Sequence, residues 1–307
     1  MSGHMRRATF IAALIGGAVA MPARSGARLA SALGASSPGG LLADIPPIQP
    51  DIELPGVFLG GRPFLRLTTA NGTRVLAWLD TDGSGFITEA LVRRLNLAVT
   101  GMRAAVPIWR EQCPPPGGDG LLPMLPAGQN DPLLAGIDIQ LGGTWFAHRV
   151  WTIDYRNQKI VWHSTNGAAA SDAVNPVPMK FTDDRRLYPL IPVIVEREVI
   201  TMALDTAASV LRGPGDIVAT SFVTHERFAK WRTAHPEWPV KGIADGVDSI
   251  DVPGVRVGGV QLGDVTFTTR PKDDVFEGET ASGRLGSNAC IGRELIIDYR
   301  RSVAAFD

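Results

Sequence analysis

Two stretches decide the reading: PFLRLTTANGTRVLAWLDTDGSGF, from Pro63 to Phe86, and PLIPVIVEREVITMALDTAASVL, from Pro189 to Leu211. Each opens with an alternating apolar strand, Phe64 to Leu67 in one copy and Leu190 to Val195 in the other. Each then turns, through Ala70-Asn71-Gly72 or through Glu196-Arg197-Glu198. Asn-Gly between apolar alternations is a hairpin signal. A second strand follows, Val75 to Leu79 or Val199 to Leu204, and runs straight into Leu-Asp-Thr. Asp80 and Asp205 therefore hold equivalent positions in a duplicated unit.

Similarity continues downstream. GIDIQLGGTWFAHRVWTID (Gly136 to Asp154) reads as a partner of GVRVGGVQLGDVTFTTRPKDDVF (Gly254 to Phe276), and IDYRNQKIVWH (Ile153 to His163) of IDYRRSVAAFD (Ile297 to Asp307). Two related lobes are expected, 56–172 and 173–307, with the proline-rich VNPVPMKF (Val174 to Phe181) as the joint. The content of 34 Gly and 23 Pro fits many turns and short strands. Helices are expected only over Ile87–Leu97, with Thr88 as cap, and over Ser221–His235, whose Phe222, Phe228 and Trp231 read as core. The fold class is all-β with few short helices, two duplicated β-barrel lobes and a cleft between them.

Composition narrows the chemistry. The 307 residues are 45% hydrophobic and carry a formal net charge of −1, with 30 basic against 31 acidic residues. That balance gives no electrostatic footprint for nucleic acid. Five histidines include no HExxH pair, and Cys113 and Cys290 form no CxxC, so neither a catalytic metal nor a cofactor is expected. The two cysteines admit either one disulfide or two free thiols.

Residues 1–23 have the three parts of a secretory signal: Arg6-Arg7, an apolar run from Phe10 to Ala20, and Ala18-Val19-Ala20 as a small-residue exit. The apolar run is shorter than the roughly 20 residues a membrane span needs. The expectation is export to the periplasm or beyond, the paired arginines suggesting the twin-arginine route. Residues 24–55, rich in Ala, Gly, Ser and Pro, read as a linker or pro-segment.

A duplicated lobe generates a pseudo-twofold axis, and equivalent residues near it meet. Two carboxylates held close cannot both ionise, so Asp80 and Asp205 would share a proton. One then serves as base towards a water while the other polarises a carbonyl. Thr81 and Thr206, pointing inward, would brace the pair. Asp82, Gly83, Ala207 and Ala208 stand where a substrate backbone approaches.

LDTDGSG (Leu79 to Gly85) and LDTAAS (Leu204 to Ser209) resemble the active-site motifs of the aspartic peptidase family, with retropepsin-like lobes fused in one chain as in pepsin-like enzymes. The resemblance covers about residues 55 to 307. It implies an endopeptidase with Asp80 and Asp205 as catalytic pair, an extended peptide as substrate, and a monomer that completes its own site. Its apolar-apolar-Gly turns are sought at Leu134-Ala135-Gly136 and Cys290-Ile291-Gly292, and its end signature in IGRELIIDYRRSVAAF (Ile291 to Phe306); its flap-like region, between Gly101 and Asn130, has no tyrosine and offers Trp109 as the residue to cover the cleft. The family's Asp-Thr-Gly is Asp-Thr-Asp82 and Asp-Thr-Ala207 here, which keeps a second reading open, a non-catalytic peptide binder of the same fold. A third is a calcium loop over Asp80–Leu91, with Asp80, Asp82 and Ser84 at ligand positions but Leu91 where a glutamate belongs.

Overall fold

Alternation along the repeated hairpins sets which side of each sheet is buried. On the strand Arg74–Leu79, Val75, Ala77 and Leu79 enter the main core, whereas Trp78 joins a separate apolar cluster on the opposite face. The computed structural model describes residues 51–127, 132–163, 175–181, 187–213, 215–244, 247–270 and 281–307. All belong to one packed unit that begins at Gln49. The expected export signal at 1–23, most of the lead-in and the expected lobe boundary at 172/173 lie outside the described residues.

In the first half an eight-stranded sheet has the order Gly56–Leu59, Arg62–Thr68, Arg74–Leu79, Ile139–Leu141, Gly85–Thr88, Leu121–Leu125, Arg103–Ala105, Val99–Thr100. In the second, another eight-stranded sheet has the order Lys180–Phe181, Pro189–Val195, Glu198–Asp205, Gly283–Gly286, Ser221–Thr224, Val260–Arg270, Val247–Val257, Val240–Ala244. The second to sixth strands of each sheet pair antiparallel, parallel, antiparallel and parallel in turn. The duplication is thus one of topology as well as of motif.

A third sheet of six strands joins the halves. Its centre pairs Val150–Asp154 with Glu294–Asp298, antiparallel and in symmetric register: Val150 lies opposite Asp298, and Asp154 opposite Glu294. These are the two Ile-Asp-Tyr-Arg segments, so the pseudo-twofold axis passes between them. Trp145, Phe146, Trp151 and Tyr299, all fully buried, pack ring against ring in the core beside it.

Several expectations need correction. Ile52–Leu54, read as linker, is a strand of the six-stranded sheet because it finds Ile160–Trp162 as its antiparallel partner. The expected helix over Ile87–Leu97 is Glu89–Leu95: Thr88 caps it by accepting from the Leu91 N–H, and Ile87 stays in a strand paired with Ile139. The helix expected from Ser221 starts only at His225, capped by Thr224, because Ser221–Thr224 pairs with two strands. Phe228 and Trp231 do pack in the core. Gly254–Phe276 is not the counterpart of Gly136–Asp154. Up to Arg270 it lies in the hairpin Val247–Val257/Val260–Arg270, while the topological partner of Ile139–Asp154 is Gly283–Asp298. Cys113 and Cys290 are separate free thiols, and burial pushes both up to about 12.

Candidate active site

The site is made by two strand ends held back to back. The first aspartate strand, Arg74–Leu79, and the second, Glu198–Asp205, each lie parallel to a short strand ending in Leu-Gly: Leu79 is paired with Leu141, and Leu204 with Leu285. Beyond these, Gly142 and Gly286 pack tightly against backbone. A Cβ on Gly142 would stand 2.3 Å from the Gly85 nitrogen, and one on Gly286 1.8 Å from the Thr220 oxygen. The backing elements are therefore Gln140-Leu141-Gly142 and Arg284-Leu285-Gly286. Leu134-Ala135-Gly136 and Cys290-Ile291-Gly292 are not: a Cβ on Gly136 or Gly292 would meet nothing within 4 Å among the described residues.

Thr81 and Thr206 lock the two loops together. The Thr81 N–H donates to Thr206 Oγ1 at 3.1 Å, and the Thr206 N–H donates to Thr81 Oγ1 at 3.1 Å. The hydroxyls then donate onwards across the axis, Thr81 Oγ1 to the Leu204 carbonyl at 2.5 Å and Thr206 Oγ1 to the Leu79 carbonyl at 2.9 Å. Both threonines are fully or almost fully buried. Four bonds related by a twofold operation leave each aspartate loop little freedom to move against the other.

The carboxylates share this symmetry at their first oxygens. Asp80 Oδ1 accepts from the Asp82 N–H and Asp205 Oδ1 from the Ala207 N–H, both at 2.9 Å. At the second oxygens the halves diverge. Gln140 Nε2 donates to Asp80 Oδ2, whereas Arg284 Nη1 donates to Asp205 Oδ2 at 3.1 Å and to Asp82 Oδ2 as well. Gln140 and Arg284 are themselves equivalents, lying opposite Trp78 and Ala203 in matching registers. Asp80, Asp82 and Asp205 are 6%, 3% and 5% exposed. Burial raises the Asp80 pKa well above the ordinary carboxylate range, and the charges of Asp205 and then Asp82 raise it further.

Two tyrosines complete the frame. Tyr299 donates to the Thr81 carbonyl at 3.3 Å. Its counterpart Tyr155 meets Ser287 Oγ at 2.8 Å, and that hydroxyl donates to the Thr206 carbonyl at 2.6 Å. Ser287 replaces Gly143 in the repeat, so one tyrosine reaches its carbonyl directly and the other through a hydroxyl. Burial pushes both phenols well above their ordinary range.

Of the residues expected near a substrate, Ala207 packs with Phe64, Trp78 and Ile137, and Ala208 with Leu190, Ala203 and Phe222. The half-buried Gly83 donates its N–H to the Leu187 carbonyl at 2.9 Å. Asp82 turns to Arg284. Trp109 does not cover the aspartates. It bridges Thr69, beyond the far end of the first aspartate strand, six or more residues and roughly 20 Å from Asp80 at a strand's rise. Its ring is half-buried against the core. The calcium reading fails on geometry, since Asp80–Leu91 is entered by a strand and its Asp82 is turned away to Arg284. Gln140, Arg284, Tyr155, Tyr299 and Ser287 carry functional geometry that the motifs alone did not single out.

No protein-family model and no curated protein matches the chain. Solved structures do. An aspartic proteinase from Irpex lacteus superposes with a TM-score of 0.53 at 8% identity, over 83% of this chain and 96% of that one. Basic 7S globulin from soybean gives 0.50 at 12%, over 85% and 96%. At these identities the likeness is one of fold. The chain has the mostly β, two-lobed fold of the aspartic proteinases, a fold also found in the soybean globulin.

Proposed function

We propose that this chain is an aspartic endopeptidase that hydrolyses extended peptides with a water activated by Asp80 and Asp205. The observation that carries the reading is the reciprocal Thr81–Thr206 lattice, which holds the two aspartate loops together with matched N–H donors on each Oδ1. Asp80, whose carboxyl is pushed towards its protonated form by burial and then by the charges of Asp205 and Asp82, hydrogen-bonds the scissile carbonyl oxygen. Asp205 takes a proton from the water as its oxygen attacks the carbonyl carbon. That proton passes to the leaving nitrogen as the C–N bond breaks, giving a carboxylic acid and an amine. The N-terminal sequence supports export, and a peptide partner is expected along the groove between the lobes.

One observation favours a second reading, a peptide binder without turnover. The second oxygens of both aspartates already accept from protein groups, Gln140 and Arg284. Incubating the protein with a mixed peptide library at pH 4 and pH 7, and sequencing products by mass spectrometry, separates the two. Cleavage that disappears in both Asp80→Asn and Asp205→Asn supports the peptidase. Cleavage that survives either substitution removes the dyad from the chemistry, and binding without any cleavage assigns the second reading.

A further inference from the structure

The face of the first sheet that carries Asp80 also holds an arginine that the dyad chemistry does not use. Arg62 and Phe64 alternate with core residues along Arg62–Thr68, and Phe64 pairs with Trp78, two residues before Asp80. The Arg62 guanidinium lies over both rings, 5.2 Å from the centroid of Phe64 and 5.0 Å from that of Trp78. Arg62 is 6% exposed and Trp78 4%. Arg62 Nε reaches the Leu59 carbonyl at 3.4 Å, but Nη1 is buried without an acceptor among the described residues, and so is Trp78 Nε1.

Buried donors are almost always paired, so two neighbouring ones without an acceptor mark a place where an acceptor belongs. Burial lowers the Arg62 pKa only to about 10, so the group stays cationic at neutral pH. An aromatic face attracts such a cation but accepts no conventional hydrogen bond in its plane. A carboxylate matches both the charge and the forked donor geometry of a guanidinium, which a neutral carbonyl does not. Placement relates this to the dyad. Ala207, two residues after Asp205, packs in the same cluster as Phe64 and Trp78, and the Gly60 carbonyl before Arg62 accepts from the Ala219 N–H of the other half at 2.7 Å.

We propose that Arg62 and Trp78 form a subsite beside the aspartates that binds the carboxylate of a bound peptide. The proposal rests on reading this face as a peptide groove, and its test does not need turnover. A decapeptide library is captured on the immobilised full chain and the bound fraction sequenced, once with free and once with amidated C-termini. Wild type is expected to enrich Glu and Asp over Gln and Asn by about tenfold at one position, the size of a charged hydrogen bond. Arg62→Met should lose that enrichment, and Trp78→Phe, which keeps the ring and removes the N–H, should weaken it about threefold to tenfold. Enrichment that survives amidation identifies an acidic side chain as the ligand; enrichment of chain ends that amidation abolishes identifies the terminal carboxylate. Both support the subsite. Capture without acidic or terminal preference, or a preference that Arg62→Met retains, overturns the subsite alone. Capture of no peptide overturns the groove as well. Should Arg62→Met fail to fold, Trp78→Phe decides: an unchanged preference refutes the proposal.

Discussion

Replacing Thr81 by valine tests the frame of the site directly. Valine keeps the branched shape and removes the hydroxyl, so packing changes little while two bonds vanish. The Thr206 N–H loses its acceptor, and the Leu204 carbonyl loses a donor. Thr206 is 1% exposed, so water does not replace the lost partner. A buried N–H left unsatisfied costs about 1–3 kcal/mol, and the lost bond to the carbonyl adds about 0.5–1.5. The expected destabilisation is about 1.5–4.5 kcal/mol, read from urea unfolding midpoints at constant m-value. Thr206→Val should match it, since the twofold partner loses the equivalent pair of bonds to Thr81 and Leu79. Thr81→Ser, which retains the hydroxyl, should cost under about 1 kcal/mol. Because both threonines belong to one network, the double valine variant should cost less than the sum. A Thr81→Val loss below about 1 kcal/mol, or strict additivity, refutes the lattice as the clamp between the halves.

Other expectations follow from the same geometry. Asp80 is a carboxyl whose folded pKa is raised, so its contribution to stability is present below the ordinary carboxylate range and lost as pH rises through the folded value. Asp80→Asn should therefore gain stability relative to wild type at pH 8 and lose that advantage at pH 3; a constant difference across that window contradicts the assignment. Arg284→Met removes the cation facing Asp82 and Asp205 and should cost about 3–5 kcal/mol at pH 7, with part recovered in the Asp82→Asn/Arg284→Met double variant. Additive losses in that cycle would show that Asp82 and Arg284 are not coupled. Gly286→Ala drives a Cβ into the Thr220 carbonyl and should cost about 3 kcal/mol or more, whereas Gly136→Ala, at φ +77° with open space around it, should cost about 1–2. Thermal melts of the two variants would reverse this order if the backing strands were misassigned.

The features legible in the sequence are those with a period or a copy. The Leu-Asp-Thr pair, the hairpins before it and the twin Ile-Asp-Tyr-Arg segments each announce themselves locally. The backing strands do not. Ile139–Leu141 has three residues and Gly283–Gly286 four, too few for an alternation to stand out, and each is recruited by a parallel partner far away in the chain. A signal was nevertheless present, because Leu141-Gly142 and Leu285-Gly286 precede their Ile-Asp-Tyr-Arg segments by the same spacing. The helix boundaries slipped for a related reason. Ile87 and Phe222 fit a helical stripe, and only pairing with distant strands makes them extended.

The departures from symmetry form a set, and together they bear on what the site does. In the second half Ala203 stands where the first has Trp78, and Arg284 where the first has Gln140. The small alanine leaves room for the arginine's longer side chain on the aspartate face. That arginine meets Asp82, the residue in the position where Ala207 stands in the other loop. An added carboxylate and an added cation thus arise in opposite halves and meet across the axis. Alone, Asp82 would place a third negative charge beside two others, a cost that burial multiplies. Paired with Arg284 it leaves the Oδ1 geometry of both aspartates matched while giving their Oδ2 atoms different neighbours, one a neutral amide and one a cation. Asp80 and Asp205 are thereby made inequivalent at one oxygen each, although the main-chain bonds that hold them repeat across the axis.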